Sequence, residues 1–351
     1  MNYIGSKYSI LSYIDEVIED FTHQKKEMTL CDIFAGTGVV SSYFKEKGYN
    51  IIANDIQYFS FVMLKGLIEN SDELMFSRLS KRGNNPFIIL NGLSGKKGFI
   101  YKNYSVGGTK KSEYQRQYFS DDNAKKIDAC RIKIEKWRNK KIINESEYYY
   151  LLACLLEASD KVANTASVYE AFLKNLKKSA EKPIIVEPLP LIFKNKKYEI
   201  YNEDSKNLIK KIKGDILYLD PPYNTRKYDT NYHILETIAL YDNPKIKGKT
   251  GIRVEDTKKS NYCIKNKAEL ELEDLIKNAN FKYILLSYND EGIIPIKKIE
   301  EIMKKYGNYK RYEKRHKRYK SDNKREYKKD YTIEYIHCLE KEVWCYAKRK
   351  S

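Results

Sequence analysis

The sequence predicts an α/β protein built on a Rossmann-like, mostly parallel sheet with a late antiparallel strand, plus an inserted, mainly helical domain. Three observations carry this reading. A strand, glycine turn, helix and strand follow one another between residues 29 and 55; two further apolar runs, 215–219 and 283–287, end in polar residues; and a long stretch of different character separates the first unit from these runs. Strands alternating with helices imply a sheet covered on both faces.

Taken in order, Thr29 to Phe34 is a short apolar run with the look of a buried strand, followed by Ala35-Gly36-Thr37-Gly38 and a helical pattern from Val39 to Lys47. A second run, Tyr49 to Ala53, ends at Asn54-Asp55. Residues 76–197 read as an insertion: Gly- and Lys-rich sequence from Asn91 to Thr109, then Tyr114-Gln115-Arg116-Gln117-Tyr118, then helical patterns over 121–139 and 145–178. The chain returns through Pro188-Leu189-Pro190 to a strand at Tyr198 to Tyr201. Residues 1–75 and 198–351 therefore form one domain, with 76–197 inserted in it. Asp215 to Leu219 is a buried strand running into Asp220-Pro221-Pro222-Tyr223, and Tyr283 to Ser287 is another. The basic run Lys310 to Lys329 reads as a loop associated with two late strands, Tyr331 to Leu339 and Val343 to Ala347.

With 42% hydrophobic residues in 351, the chain can bury one large core or a core and a satellite domain. Its net charge of +18 concentrates polyanions and points to nucleic acid or an anionic membrane surface. No apolar run approaches the roughly 20 residues that span a bilayer, and the first residues lack a signal-peptide profile. A cytoplasmic address without membrane contact is the default expectation. Six scattered cysteines and four histidines suggest no metal site.

A glycine turn between strand and helix lets backbone amides approach a ligand closely, and an acid ending the next strand suits ribose hydroxyls. Asp55 holds that position. Gly36-Thr37-Gly38 followed by Ser41 nearly fits a dinucleotide fingerprint, so the turn alone leaves three readings open: S-adenosyl-L-methionine (AdoMet), a dinucleotide, or a turn with no ligand.

The tetrad Asp220-Pro221-Pro222-Tyr223 narrows them. An adenine amino nitrogen is a poor nucleophile because its lone pair is delocalised into the ring. Asp220 can accept one amino hydrogen and the Pro221 carbonyl the other, while the locked φ angles of Pro221 and Pro222 hold that carbonyl in place. Tyr223 offers a ring for base stacking, an interaction of about 1–3 kcal/mol. A dehydrogenase has no use for such a tetrad.

Asn2-Tyr3-Ile4-Gly5-Ser6-Lys7, Phe34-Ala35-Gly36-Thr37-Gly38 and Asp220-Pro221-Pro222-Tyr223, in that order, resemble the Dam-like adenine-specific DNA methyltransferases. The extended run Asp220 to Tyr241 resembles their restriction-modification branch. The resemblance implies a Rossmann-like AdoMet-dependent methyltransferase fold, double-stranded DNA as partner, methylation of the 6-amino group of adenine, and a cognate restriction endonuclease that need not be bound. It assigns Tyr3 and Lys7 to the methionine portion of AdoMet, and Phe34, Ala35, Gly36, Thr37 and Gly38 to the cofactor lining. Asp55 then holds the ribose, Asp204 approaches the cofactor adenine, and Asp220 serves both cofactor site and catalysis. Residue by residue, Lys7 also fits a solvated surface lysine, and Asp204 a helix N-cap.

A paired adenine must leave the stack to be methylated, at a cost of a few kcal/mol that phosphate contacts offset. Lys314, Arg315, Lys317 and Arg318 are candidates for those contacts, and Arg226, Lys227 and His233 for guiding the target strand. The family places its target-recognition domain between the glycine motif and the tetrad, which assigns recognition to 76–197, with Lys102, Asn103, Lys110, Lys111, Gln115, Arg116 and Gln117 as candidates. Two rivals use the same features: an RNA or protein methyltransferase, and a nucleic-acid-binding subunit without activity.

Overall fold

The computed structural model describes residues 5–23, 28–80, 85–166, 168–223, 228–254, 260–317 and 331–342. The expected strands become β1 (Thr29–Asp32), β2 (Asn50–Asn54), β3 (Tyr198–Tyr201) and β4 (Lys213–Leu219). A small ribbon, β5 (Ile246–Lys247) and β6 (Ile252–Arg253), stands apart from the main sheet. The later strands are β7 (Asn280–Asn289), β8 (Gly307–Lys317) and β9 (Tyr331–Lys341). The main sheet runs β3-β2-β1-β4-β7-β9-β8, parallel from β3 to β7, with β9 antiparallel to both of its neighbours. The order reverses direction between β1 and β4, and in open α/β sheets that switch point is where ligands bind, beyond the carboxyl ends of the strands.

Alternation along the strands shows why both faces are covered. Leu30, Ile51, Ala53, Ile216 and Tyr218 point to one layer, while Cys31, Ile52, Leu217 and Leu219 point to the other. The first layer carries α1 (Leu11–Thr22) and α2 (Val39–Glu46), and helix α3 (Tyr58–Leu67) follows β2.

Residues 76–197 contain α4 (Ser77–Ser80), α5 (Pro86–Gly92), α6 (Phe99–Tyr104), α7 (Asp121–Asn139), α8 (Glu145–Lys161) and α9 (Lys178–Glu181). Beyond β3 come α10 (Ser205–Leu208), α11 (Tyr228–Asn231), α12 (His233–Leu240), α13 (Lys265–Asn278) and α14 (Ile296–Lys304). Side chains of α13 and α14 fill the second layer. Among the described residues no helix is long and apolar enough to cross a membrane.

Ser120 caps α7 through Asn123 N, and Asn144 and Glu147 form a reciprocal capping box at the start of α8. The second long helix ends at Lys161, short of the expected 178. There the Asn164 amide takes over: its nitrogen donates to the carbonyls of Gln117 and Leu173, and its oxygen accepts from Lys177 N, so one side chain ties the segment after α8 to itself and to the loop before α7.

The helices of residues 76–197 share one hydrophobic cluster with the chain on either side. Ile127 and Ile134 of α7 and Leu151 and Leu155 of α8 pack in the same core as Phe59 and Val62 of α3 and Leu235 and Ile238 of α12. At Gly66 in α3 a Cβ would meet Tyr149 O at 2.8 Å and Ala153 Cβ at 2.9 Å, so α3 and α8 approach at backbone distance. Glu236 of α12 ties the layers further, its two carboxylate oxygens accepting from Tyr58 N (3.0 Å) and Phe59 N (2.8 Å), where α3 has no cap of its own.

The basic run does not start as a loop. Residues 307–317 pair one for one with β9, from Gly307 opposite Lys341 to Lys317 opposite Tyr331. Lysine-rich sequence suits such an edge strand, because charges discourage further pairing. Lys310 and Tyr312 bond Asp20, and Lys314 lies over Tyr13, both on α1; Arg311 and Arg315 lie over Tyr335 and Tyr331 instead. The expected strand Val343 to Ala347 lies outside the described residues.

Candidate active site

The site begins where β1 ends. Gly36 and Gly38 adopt left-handed backbone (φ 54° and 80°), and a Cβ on Gly38 would meet Leu64 Cδ2 at 2.8 Å. Ala35 N donates to Asn54 O, and Gly36 N donates to Asp55 Oδ2 at 2.9 Å, which joins the turn to the end of β2. Asp55 Oδ1 accepts from Gln57 N at 2.8 Å. Burial pushes the Asp55 carboxyl up to about 6, against the pull of these two amides. Phe34 packs edge-on against Tyr262 and flanks the turn.

Asp32, the last residue of β1, was not anticipated from sequence. It is 1% exposed, accepts from Ser41 Oγ at 2.8 Å, and is pushed up to about 7 by burial despite that bond, with Asp220 and Asp55 adding to the rise. Only its position before Phe34 in a strand that reads as apolar marked it.

Asp220 follows β4 directly across the switch point. Lys7 Nζ lies 3.1 Å from Asp220 Oδ1 and 3.1 Å from Glu334 Oε1, and 5.2 Å from the centroid of the Tyr223 ring. Burial works against the ammonium, but Asp220 and Glu334 hold its pKa well above the usual lysine value. Burial pushes Asp220 up to about 6; Lys7 opposes this and Glu334 adds to it. Tyr223 is seated by an edge contact with Tyr288 and by Ile293 N donating to its carbonyl.

The expected site residues divide as follows. Lys7, Ala35, Gly36, Asp55 and the tetrad converge at the carboxyl ends of β1, β2 and β4. Lys7 is not a solvated surface lysine: its ammonium is buried and faces two protein carboxylates. Asp204 caps α10, its Oδ1 accepting from Lys206 N at 2.9 Å, while its neighbours Asn202 and Glu203 bond the end of β2. Tyr3, Arg226, Lys227, Arg318 and the side chain of Lys317 lie outside the described residues.

Two expected DNA contacts are corrected. Arg116 is buried, its guanidinium donating to the carbonyls of Lys249 (3.1 Å) and Gly248 (2.9 Å), so it anchors the insertion to the β5–β6 ribbon. His233 is also buried, with Nε2 3.1 Å from Tyr169 O and its pKa lowered by burial to about 4, which makes it a neutral strut. Both are enclosed in protein, where a groove of DNA does not reach. Among the insertion candidates, Gln117 is tied to the carbonyls of Leu173 and Lys174, whereas Lys102, Lys110, Lys111 and Gln115 are exposed.

The residues suit a sulfonium donor. Two glycines without Cβ open the turn, and carboxyl groups outnumber cations beside it: Asp220 and Glu334 share the single ammonium of Lys7, and Asp32 faces Asp220 and Asp55, a balance that favours a cationic ligand.

A doubly covered sheet with a glycine turn on one side of its switch point and Asp-Pro-Pro-Tyr on the other defines an adenine-directed methyltransferase. The family model for D12 class N6 adenine-specific DNA methyltransferases matches residues 3–302, and the chain belongs to that family. It is 46% identical over 344 residues to the type II methyltransferase M.NlaIII of Neisseria lactamica, spanning 97% of this chain and 99% of that protein. It is 34% identical to M.CviAII of Paramecium bursaria Chlorella virus 1, spanning 92% and 93%. Against M.FokI of Planomicrobium okeanokoites identity is 40%, and the match spans 98% of this chain but 53% of the longer relative.

Proposed function

We propose that the protein transfers a methyl group from S-adenosyl-L-methionine to the 6-amino group of an adenine extruded from double-stranded DNA, as the modification component of a restriction-modification system. The observation that carries this reading is Asp220, held by Lys7 at the end of β4 opposite the glycine turn of β1. AdoMet, when bound, supplies an electrophilic methyl group on a sulfonium. Gly36 to Gly38 leave room for it along the backbone, and Asp55 receives its ribose hydroxyls. Asp220 accepts one hydrogen of the amine and the Pro221 carbonyl the other, which localises the nitrogen lone pair and aims it in line. Tyr223 stacks the base. The nitrogen sheds a proton only after transfer, when it has become acidic, so no separate strong base is needed.

Duplex binding falls to β8. Its register supports this, because Lys314 stands opposite Glu334 and Arg315 opposite Ile333, at the catalytic end of the sheet. Target reading falls to the inserted segment, where exposed Lys102, Lys110, Lys111 and Gln115 are free to meet base edges.

The test is methyl transfer from tritiated AdoMet to duplex DNA, to RNA of the same sequence and to total protein, with the labelled base identified after digestion. Label in N6-methyladenine of the duplex is expected, and Asp220→Ala abolishes it while AdoMet binds within about tenfold of its normal affinity. Label confined to RNA or protein, or near-normal turnover by Asp220→Ala, defeats the reading.

A further inference from the structure

Glu334 belongs to none of the recognisable motifs, yet its carboxylate reaches the catalytic centre. It is 7% exposed on β9, and its Oε1 accepts from Ser287 Oγ of β7 at 2.9 Å and lies 3.1 Å from Lys7 Nζ. That same Nζ lies 3.1 Å from Asp220 Oδ1. A lysine only 6% exposed thus stands between two carboxylates, one from the end of β4 and one from β9, while a hydroxyl on the intervening strand fixes the outer one.

We propose that Glu334 is a positioning residue for methyl transfer: by holding Lys7 it divides that ammonium between two carboxylates, and so leaves Asp220 a strong acceptor for the adenine amine. This rests on the reading of Asp220 given above. A buried Asp–Lys pair by itself is neutral, and a carboxylate neutralised by an ammonium polarises an N–H bond less. With Glu334 present the group of three keeps one net negative charge where little water screens it. Ser287 matters because Glu334 needs a partner other than Lys7 to stay in place.

The groups facing Asp220 all bear on the outcome. Lys7 favours its charged form, Glu334 and, at longer range, Asp32 oppose it, and the rings of Tyr218 and Tyr223 close the site around Lys7. Removing the charge of Glu334 acts twice in one direction. It takes away a repulsion that raises Asp220, and it turns Lys7 wholly toward Asp220. The acid limb of the methylation rate, set by ionisation of Asp220, then moves to lower pH while the plateau falls. A residue that only packs leaves the limb where it is.

The experiment is single-turnover methylation against pH with saturating AdoMet and duplex, for the wild type, Glu334→Gln and Glu334→Asp. Glu334→Gln keeps the acceptor for Ser287 and loses the charge; it is expected to move the acid limb down by about half a unit to one unit and to lower the plateau about tenfold. Glu334→Asp, which keeps the charge but retracts it by one methylene, moves the limb the same way by less, and carries the test should Glu334→Gln fold poorly. An unmoved limb in the folded variants overturns the proposal, whatever happens to the rate. Asp220→Asn separates the acceptor from its positioning residue. Activity retained in it defeats the acceptor reading itself, whereas activity lost in it with an unmoved limb for the Glu334 variants defeats only the role of Glu334.

Discussion

Gly36 and Asp55, 19 residues apart in the chain, are joined by a hydrogen bond of 2.9 Å from the glycine amide to Oδ2. The acid therefore shapes the glycine turn as well as standing where the proposed function puts the ribose. Asp55→Ala is expected to cost a charge-assisted ligand bond of roughly 1.5–3 kcal/mol, a loss of about tenfold to a hundredfold in AdoMet affinity. It also lowers the melting temperature of the free protein, because Gly36 N and Gln57 N lose their acceptor. Calorimetry showing unchanged affinity removes Asp55 from the cofactor site.

The buried carboxyls set how stability follows pH. Asp32 is raised to about 7 and Asp55 and Asp220 to about 6, by burial first in each case. Groups whose folded pKa exceeds the unfolded value stabilise the fold fully below the unfolded pKa, and that contribution is lost as pH rises through the folded pKa. From these groups, the free protein loses stability between about pH 4 and 7. Asp32→Asn flattens that slope, since Asn carries no charge to bury. Urea unfolding at pH 5 and pH 8 checks it; equal slopes for variant and wild type refute the assignment.

Replacing Lys314, Arg315, Lys317 and Arg318 by alanine weakens DNA binding for all sequences alike. Each charge that no longer meets a phosphate lowers the slope of log affinity against log salt by about one unit. AdoMet affinity stays unchanged. A salt slope equal to that of the wild type assigns these charges to solvent.

Exchanging residues 76–197 with those of a relative of different specificity transfers the methylated sequence, on condition that the shared core is respected. Phe59 and Val62 of α3 and Leu235 and Ile238 of α12 pack against the inserted helices, so an exchange that leaves them unmatched lowers stability through cavities and overpacking. Co-exchange of these residues restores it. A folded, active chimera that still methylates the original site refutes the assignment of recognition to this segment.

What was legible in the sequence was local. β1, β2, β4 and β7 announced themselves as apolar runs, β3 and β9 were legible as short strands, and the glycine turn, Asp55 and the tetrad are each contained in a few adjacent residues. β8 was hidden because its lysines and arginines read as solvated charge, although Tyr309, Arg311, Glu313 and Arg315 alternate with Lys310, Tyr312 and Lys314 as a strand requires. Arg116 and His233 had the right chemistry for DNA but lie inside, and burial of a polar side chain depends on partners such as Gly248 O and Tyr169 O that are far away in sequence. Glu334 was invisible for the same reason: a lone acid in Thr332-Ile333-Glu334-Tyr335 gains meaning only when three strands bring it to Lys7.

Lys7, Asp220 and Glu334 come from the beginning, middle and end of the chain. A protein is made from its N-terminus, and its early parts can fold before its late parts exist. The glycine turn and Asp55 are available early in synthesis, but Lys7 gains its second carboxylate only after residue 334 has left the ribosome and β9 has zipped between β7 and β8. A chain that stops short of Glu334 would keep the glycine turn and Asp55 but leave Lys7 facing Asp220 alone.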